Sequence, residues 1–324
     1  MSFMDIAVVD ISPFENGSRA EKASAARAFG RAFETTGFAV IVGHGVSDAL
    51  AQDVYGSLKR FFALPFEQKA AHTPPEQAKG RGYLPMGIES VARTLAGETP
   101  PDLCEALVFS APHRELRGAP SRNIWPEAPA ELAPLVRAWT GEMERLTGHL
   151  ARISALALDL PEDHLLAPFA DPAITLRFVN YPDQPTPPEP GQLRYGAHHD
   201  YGGLTILRQD SAPGGLQICD RDGVWREAGN IPGSFVINVG DLMARWTNNR
   251  WRSTLHRVSN PDRGLTGSTQ RISMVAFTGP NEDHVVTSLP TCVSEQNPPL
   301  FEPVRAGEYI RAKIEKSMEL TAAE

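Results

Sequence analysis

The second half of the chain contains short segments rich in branched and aromatic residues, separated by clusters of Gly, Pro and Asp. Short segments with turn-forming residues between them are typical of the strands of an antiparallel sandwich or barrel. The predicted strands are residues 175–179, 204–207, 215–218, 234–239 and 271–277. A mainly β core is therefore predicted from about residue 172 onwards.

The first half of the chain favours helices. Ser18 and Glu21 form a capping box ahead of apolar residues at helical spacing, and Gly37 ends that segment. Residues 38–42 predict a short buried strand, and a second helix is predicted from Ser47 until Pro65 breaks it. The longest predicted helix covers about residues 131–158, where apolar positions alternate in steps of four and three. We expect this helix to be a scaffold for other elements.

These patterns divide the chain into two regions of one compact unit. Residues 1–115 form a mostly helical N-terminal region, and residues 116–324 hold the long helix, the β core and a final helix with Ile310 and Ile314. The Pro-rich stretch 182–190 has predicted strands on both sides, so we interpret it as a loop rather than a linker. A length of 324 residues, 41% of them hydrophobic, suits one large domain or two closely packed ones.

Composition excludes several classes of partner. The net charge of −8 argues against nucleic acids and anionic membranes, whose phosphates require a basic surface. No apolar run approaches the roughly 18 residues that span a bilayer, and no secretory signal is evident at the N-terminus. Three widely spaced cysteines predict neither disulfides nor a zinc site. We therefore expect a cytoplasmic protein that acts on a small molecule; its oligomeric state is not predicted.

A His-x-Asp sequence is the first sign of chemistry. In extended backbone, alternate side chains face the same way, so His198 and Asp200 project together while His199 points to the opposite side. Such a pair also occurs without a metal. A second imidazole from a distant strand, such as His256, would complete a facial triad that leaves three coordination positions open.

An Arg-x-Ser sequence follows on the last predicted strand. The same alternation puts Arg271 and Ser273 on one face, where a guanidinium beside a hydroxyl suits a carboxylate. An isolated Arg-x-Ser is explained as well by a surface strand whose arginine pairs with an acidic residue.

Together with other landmarks, these motifs resemble the isopenicillin N synthase-like family of iron(II)- and 2-oxoglutarate-dependent oxygenases. The resemblance covers nearly the whole chain. The further landmarks, in chain order, are Val9-Asp10-Ile11-Ser12, Gly37-Phe38, Gly43-His44-Gly45-Val46, Phe61-Phe62-Ala63-Leu64-Pro65, Arg81-Gly82-Tyr83, Asp102-Leu103-Cys104-Glu105-Ala106, Asn123-Ile124-Trp125-Pro126, Leu176-Arg177-Phe178 and Tyr181-Pro182. The family implies an α+β fold with a mainly β core, a distorted double-stranded β-helix (jelly-roll) flanked by helices.

The resemblance also implies roles for individual residues. Fe(II) would be bound by His198, Asp200 and His256. Arg271, Ser273 and Tyr181 would bind the distal carboxylate of 2-oxoglutarate. Many plant relatives have Asn two residues before that tyrosine, and this chain has Val179, so one polar contact of the family is in doubt. Candidate substrate-pocket residues are Arg81, Tyr83, Phe178, Trp246 and Phe277, and the last three suit an ordinary hydrophobic core equally well.

The implied activity is oxidation of an unactivated C–H bond of a small molecule by dioxygen, with release of succinate and CO2 from 2-oxoglutarate. Hydroxylation, desaturation and ring closure all remain open. One alternative is an iron-dependent oxidase on the same scaffold that does not use 2-oxoglutarate, since such enzymes also keep an Arg-x-Ser. Another is a non-catalytic binding module, which would be expected to have lost a metal ligand or the carboxylate anchor.

Overall fold

Two β-sheets form the centre of the protein in a computed structural model that describes residues 3–75, 81–111 and 123–322. The strands are β1 (Val8–Asp10), β2 (Phe38–Val42), β3 (Gly82–Leu84), β4 (Glu105–Ser110), β5 (Ala173–Tyr181), β6 (Tyr195–His198), β7 (Leu204–Gln209), β8 (Leu216–Cys219), β9 (Trp225–Glu227), β10 (Phe235–Val239), β11 (His256–Val258), β12 (Arg271–Gly279), β13 (Val285–Val286) and β14 (Val304–Arg305). All six strands predicted from the sequence, including the one at residues 38–42, are confirmed.

The strands are arranged as a distorted jelly-roll. The large sheet has the order β1-β2-β10-β7-β12-β5-β4-β3, and the smaller one has the order β6-β11-β8-β9. Neighbouring strands are antiparallel except for β1 and β2. A separate two-stranded sheet pairs β13 with β14. The fold class expected from the sequence is confirmed.

Helices cover one face of the large sheet. Their bounds are α1 (Pro13–Asn16), α2 (Arg19–Thr35), α3 (Asp48–Phe62), α4 (Phe66–Ala70), α5 (Arg93–Ala96), α6 (Leu132–Ala157), α7 (Asp241–Trp246) and α8 (Ala306–Ala322), with a 3-10 helix at Pro290–Cys292. The capping box of α2 forms at Ser18, and the Ser47 side chain caps α3. The predicted long helix corresponds to α6, which packs against α2 and α3. Among the described residues, no helix has both the length and the apolar character required to cross a bilayer.

The large sheet separates two hydrophobic regions. On β5, Leu176 and Phe178 face the helices and belong to the main core, together with Trp139 of α6. Val179 and Tyr181, at alternate positions, face the smaller sheet and pack with Val258 of β11. We call the space between the two sheets the barrel interior. Side-chain alternation thus assigns each residue of β5 either to the helical core or to the barrel interior.

The N-terminal region contributes more to the β core than the sequence predicts. Strands β1 to β4 all lie before residue 115, and they form both outer parts of the large sheet. The two predicted regions therefore share one sheet. The predicted boundary at residues 115 and 116 lies outside the described residues.

Gly37, between α2 and β2, is held in a backbone conformation with φ of 76°. A Cβ at this position would collide with the carbonyl oxygen of Arg252 and the hydroxyl of Thr254. Gly141, on the exposed side of α6, has no atom within 4 Å of the position that a Cβ would take.

We predict opposite effects for these two glycines. Gly37→Ala should lower the free energy of unfolding by about 1–3 kcal/mol, because it adds backbone strain and a steric clash. Gly141→Ala should raise it by up to about 1 kcal/mol, because alanine favours the helix. Urea denaturation of both variants beside the parent protein measures the difference. Equal stabilities of the two variants would contradict the argument.

Candidate functional site

Three potential metal ligands meet in the barrel interior. His198 ends β6, Asp200 follows two residues later, and His256 begins β11. His198 and His256 are direct cross-strand partners. One ligand atom from each of the three side chains lies within 4.8 Å of the others. The pairing of β6 with β11 thus brings together two histidines that are 58 positions apart in the sequence.

Hydrogen bonds orient the two imidazoles toward a common point. Nδ1 of His198 lies 2.9 Å from the Gly196 carbonyl oxygen, and Nδ1 of His256 lies 3.0 Å from that of Thr254. Because a carbonyl only accepts, each Nδ1 must carry the proton and donate it. The lone pairs of the two Nε2 atoms are then available to a cation.

The carboxylate of Asp200 is oriented in the same way. Its Oδ2 accepts hydrogen bonds of 2.6 Å from the Thr205 hydroxyl and 2.6 Å from the Asn238 side-chain amide. Its Oδ1 faces the imidazoles, 3.6 Å from Nε2 of His198 and 3.8 Å from Nε2 of His256. Thr205 and Asn238 are cross-strand partners on β7 and β10. Two strands of the large sheet therefore position Asp200, which follows β6 of the smaller sheet.

The protonation states suit a cation. Burial raises the pKa of Asp200, but nearby His256 and the contacts with His198 and Thr205 outweigh burial and leave this pKa below its usual range. Burial, followed by the charge of His198, lowers the pKa of His256 to about 4. At neutral pH this gives a carboxylate beside a neutral imidazole, the forms that bind metal ions.

His199 points away from the triad, as the alternation in the sequence predicts. Its Nδ1 lies 3.3 Å from the Ser253 hydroxyl, and its ring lines a separate cavity of about 690 Å³ with Asp241 and Tyr309. His199 is therefore a natural control for its two neighbours.

The Arg-x-Ser sequence also faces the barrel interior. Arg271 is the cross-strand partner of Tyr181, and Ser273 is that of Val179. Burial raises the pKa of Tyr181, and the nearby side chain of Ser273 opposes this shift. Val179 packs among apolar side chains, so the position two residues before Tyr181 offers no polar group.

Arg271 keeps one buried donor without a protein partner. Its Nη2 donates to Oε1 of Gln209 at 2.7 Å, and its Nη1 donates to the carbonyl oxygens of Ala212 and Gly214 at 3.2 and 3.3 Å. Asp210 is 3.5 Å from Nη1. Within the described part of the chain, Nε of Arg271 has no hydrogen-bond partner. A buried N–H beside the hydroxyls of Tyr181 and Ser273 fits an incoming carboxylate.

An ion pair not predicted from the sequence also lies on the interior face. Arg177 alternates with Val179 and Tyr181 along β5, and its guanidinium binds both carboxylate oxygens of Glu89. It also lies 5.4 Å from the ring centre of Tyr195, whose ring contacts that of His198 at 4.9 Å. Strand alternation could have placed Arg177 on the same face as Tyr181, because the two are four residues apart on β5. Glu89 lies in a loop, where no such pattern predicts its position.

The structure separates the five predicted pocket residues. Phe277 is the cross-strand partner of Thr205, the residue bound to Asp200, and is half-buried on the interior face. Arg81 donates to the Ser110 hydroxyl at the end of β4. The other three lie in the helical core and are not brought to the triad.

Side-chain direction explains why these three residues lie apart from the triad. Phe178 alternates with Arg177 and Val179, so it packs against Phe109 on the helical side of the sheet. Tyr83 lies on the same side and donates to Glu105. Trp246 belongs to α7 and stacks on Phe169 at 6.1 Å. Apolar character alone could not assign these residues to either side of the sheet.

Comparison with known families matches both halves of the chain. Residues 6–128 match the family described as non-haem dioxygenase in morphine synthesis N-terminal, and residues 170–280 match the 2OG-Fe(II) oxygenase superfamily. The 2-oxoglutarate-Fe(II) type oxidoreductase hxnY of Emericella nidulans is 32% identical over 96% of this chain and 89% of its own length. A homoarginine-6-hydroxylase of Glycine max is 30% identical over 96% of this chain and 97% of its own length.

Solved structures show the same fold. A full-length Neurospora crassa protein, solved in complex with alpha-KG and thymine, superposes with a TM-score of 0.86 at 26% identity. The alignment covers 98% of this chain and 97% of that one. The family matches, the full-length relatives and the histidine–aspartate–histidine cluster agree, and the chain belongs to the isopenicillin N synthase-like family of iron(II)- and 2-oxoglutarate-dependent oxygenases.

Proposed function

We propose that His198, Asp200 and His256 bind the Fe(II) of a dioxygenase, and that Arg271, Ser273 and Tyr181 bind the distal carboxylate of its co-substrate 2-oxoglutarate. One observation carries the proposal: three preoriented ligand atoms and a buried guanidinium, whose Nε has no partner among the described residues, all belong to the barrel interior. The first group suits a divalent cation with open positions, and the second suits a carboxylate.

Bound Fe(II) and 2-oxoglutarate supply the oxidising power for insertion of one oxygen atom of dioxygen into a substrate C–H bond, while the other enters succinate and the co-substrate loses CO2. The protein binds and orients the reactants. Thr205 and Asn238 hold Oδ2 of Asp200, so Oδ1 stays directed at the cation position. Arg271 fixes one end of the co-substrate, which limits the orientations of its reactive end.

We infer that the substrate is a small polar molecule bound between Phe277 and the Arg177–Glu89 pair. Phe277 offers an aromatic surface next to Thr205, and the ion pair offers both hydrogen-bond donors and acceptors near the ring of Tyr195. The relatives support a small substrate, since one is named for homoarginine and another was solved with thymine. Hydroxylation is the proposed outcome; desaturation and cyclisation begin with the same C–H oxidation.

A coupled assay tests the proposal. The purified protein with Fe(II) and 2-oxoglutarate is screened against small polar molecules, with oxygen uptake and succinate measured together. We expect succinate to form in an amount equal to the dioxygen consumed when the substrate is present. Substrate oxidation without loss of 2-oxoglutarate would instead identify the alternative oxidase, and absence of iron binding would favour the non-catalytic module.

Asp200→Asn should abolish Fe(II)-dependent succinate formation and weaken Fe(II) binding about 100-fold or more, because an amide lacks the charge that a hard cation requires. His199→Ala should leave Fe(II) affinity within about twofold, since its ring faces the separate cavity. Anaerobic Fe(II) titration of both variants measures this difference. Loss of iron binding in the second variant alone would refute the assignment.

Arg271→Lys should raise the KM for 2-oxoglutarate about 10- to 100-fold, because an ammonium cannot replace the planar guanidinium fork. Arg257→Lys is the matched control. Arg257 alternates with His256 and Val258 on β11, and its guanidinium stacks on Trp225 at 4.0 Å. The control should keep the parent KM; similar increases in both variants would argue against a specific co-substrate contact.

Glu89→Gln should raise the KM for the substrate found in the screen about tenfold, because it removes the charge that fixes Arg177. The KM for 2-oxoglutarate should change much less. Comparing the two KM values in steady-state assays tests the location of the substrate. An increase confined to the KM for 2-oxoglutarate would instead indicate that the ion pair acts on the co-substrate and not on the substrate.

A further inference from the structure

Among the described residues, Arg194 is the only arginine that is less than 2% exposed, and its exposed fraction is 0%. It immediately precedes β6, four positions before His198. Its Nη1 donates to the Pro213 carbonyl oxygen at 2.8 Å, and its Nη2 donates to that of Thr269 at 2.5 Å. Its Nε is buried and has no hydrogen-bond partner within the described ranges. Such a position is costly for a charged group and calls for an explanation.

Arg194 and Arg271 hold the same turn. Arg271 binds the carbonyl oxygens of Ala212 and Gly214, and Arg194 binds that of Pro213, which lies between them. Three consecutive carbonyls therefore accept from two guanidinium groups. We call residues 212–215 the carbonyl turn.

The carbonyl turn is tightly packed against Arg194. Gly214 has a φ of 72°, and a Cβ there would lie 3.0 Å from Nη1 of Arg194. A Cβ at Gly215 would lie 3.8 Å from Nη1 of Arg271. Glycine allows the backbone to approach both side chains. The two guanidinium groups are thus linked through hydrogen bonds to neighbouring carbonyl oxygens of one turn.

Two buried guanidinium groups lie close together here, with the carboxylates of Asp210 and Asp183 nearby. Asp210 is 3.5 Å from Nη1 of Arg271, but it also accepts from the Tyr55 hydroxyl and the Ile272 backbone N–H. The hydrogen-bond partners of Arg194 in the described structure are uncharged. Burial, followed by the charge of Arg271, lowers the pKa of Arg194 to about 10, so its guanidinium is charged at neutral pH. A carboxylate entering this pocket would be attracted by both positive charges.

We propose that Arg194 is a positioning residue of the co-substrate pocket: it fixes the carbonyl turn that orients Arg271 and adds a second positive charge that favours the carboxylate of 2-oxoglutarate. The proposal rests on the proposed function. Arg194 acts through the turn and through its charge, whereas Arg271 contacts the co-substrate.

Binding measurements separate this role from a purely structural one. 2-Oxoglutarate is titrated calorimetrically, without dioxygen, into full-length protein saturated with Fe(II). Arg194→Gln should weaken 2-oxoglutarate binding about tenfold or more, and Arg194→Lys, which keeps the charge, should fall between this variant and the parent. Fe(II) affinity of both variants should stay within about twofold of the parent value. The Gln variant should also lose part of the salt dependence of 2-oxoglutarate binding.

Arg208→Gln is the matched control. Arg208 is also buried, but it lies on β7 between Gln209 and Leu207, faces the helical side, and pairs with Asp48. Its loss should lower the unfolding temperature without changing the dissociation constant of 2-oxoglutarate.

The proposal is overturned if folded Arg194→Lys and Arg194→Gln proteins bind 2-oxoglutarate with the parent affinity and salt dependence and differ only in thermal stability. If Arg194→Gln does not fold, the same criterion applies to Arg194→Lys alone. Failure of the proposed function looks different: Arg271→Gln would then bind 2-oxoglutarate like the parent protein, whatever the behaviour of the Arg194 variants.

Discussion

The antiparallel pairing of β6 with β11 is the constraint on which the candidate site depends. It places His198 directly across from His256, and the carboxylate of Asp200 then reaches both rings. Each ligand is held by a group from a different part of the fold: the Gly196 and Thr254 carbonyls hold the imidazoles, and the large sheet holds Asp200. A change in this register by one residue would turn one imidazole away from the other two ligands.

The barrel interior combines an apolar lining with a small number of oriented charges. Val179 and Tyr181 pack with Val258 on one side, and a second apolar cluster that includes Phe38 packs on the other. The ring of Phe38 also contacts that of His256 edge-on, with ring centres 5.5 Å apart. In such an apolar lining, charged groups interact strongly with each other and with any ligand. This explains why the arginines, Asp200 and Glu89 each have defined partners.

The sequence predicted the relative directions of side chains wherever strand alternation or helical spacing applied. It paired His198 with Asp200, separated both from His199, and placed Arg271 with Ser273 on one face; the structure has all these arrangements. It also predicted α6 and the capping boundary of α2 at Ser18. It could not place Phe178, Tyr83 and Trp246, which lie in the helical core, because apolar residues suit the barrel interior and the helical core equally well. It also missed Glu89, which reaches Arg177 from a loop.

The sequence by itself determined the β-rich second half, the long scaffold helix and which neighbouring side chains share a face, since these follow from a repeat of two or 3.6 residues along the chain. Only the tertiary structure decided which face of each strand points to the barrel interior, that β1 to β4 extend the large sheet, and that Arg194 and Arg271 share one turn. Those features depend on contacts between residues far apart in the sequence. Their free energy comes from burial and hydrogen bonding in three dimensions, which no local pattern specifies.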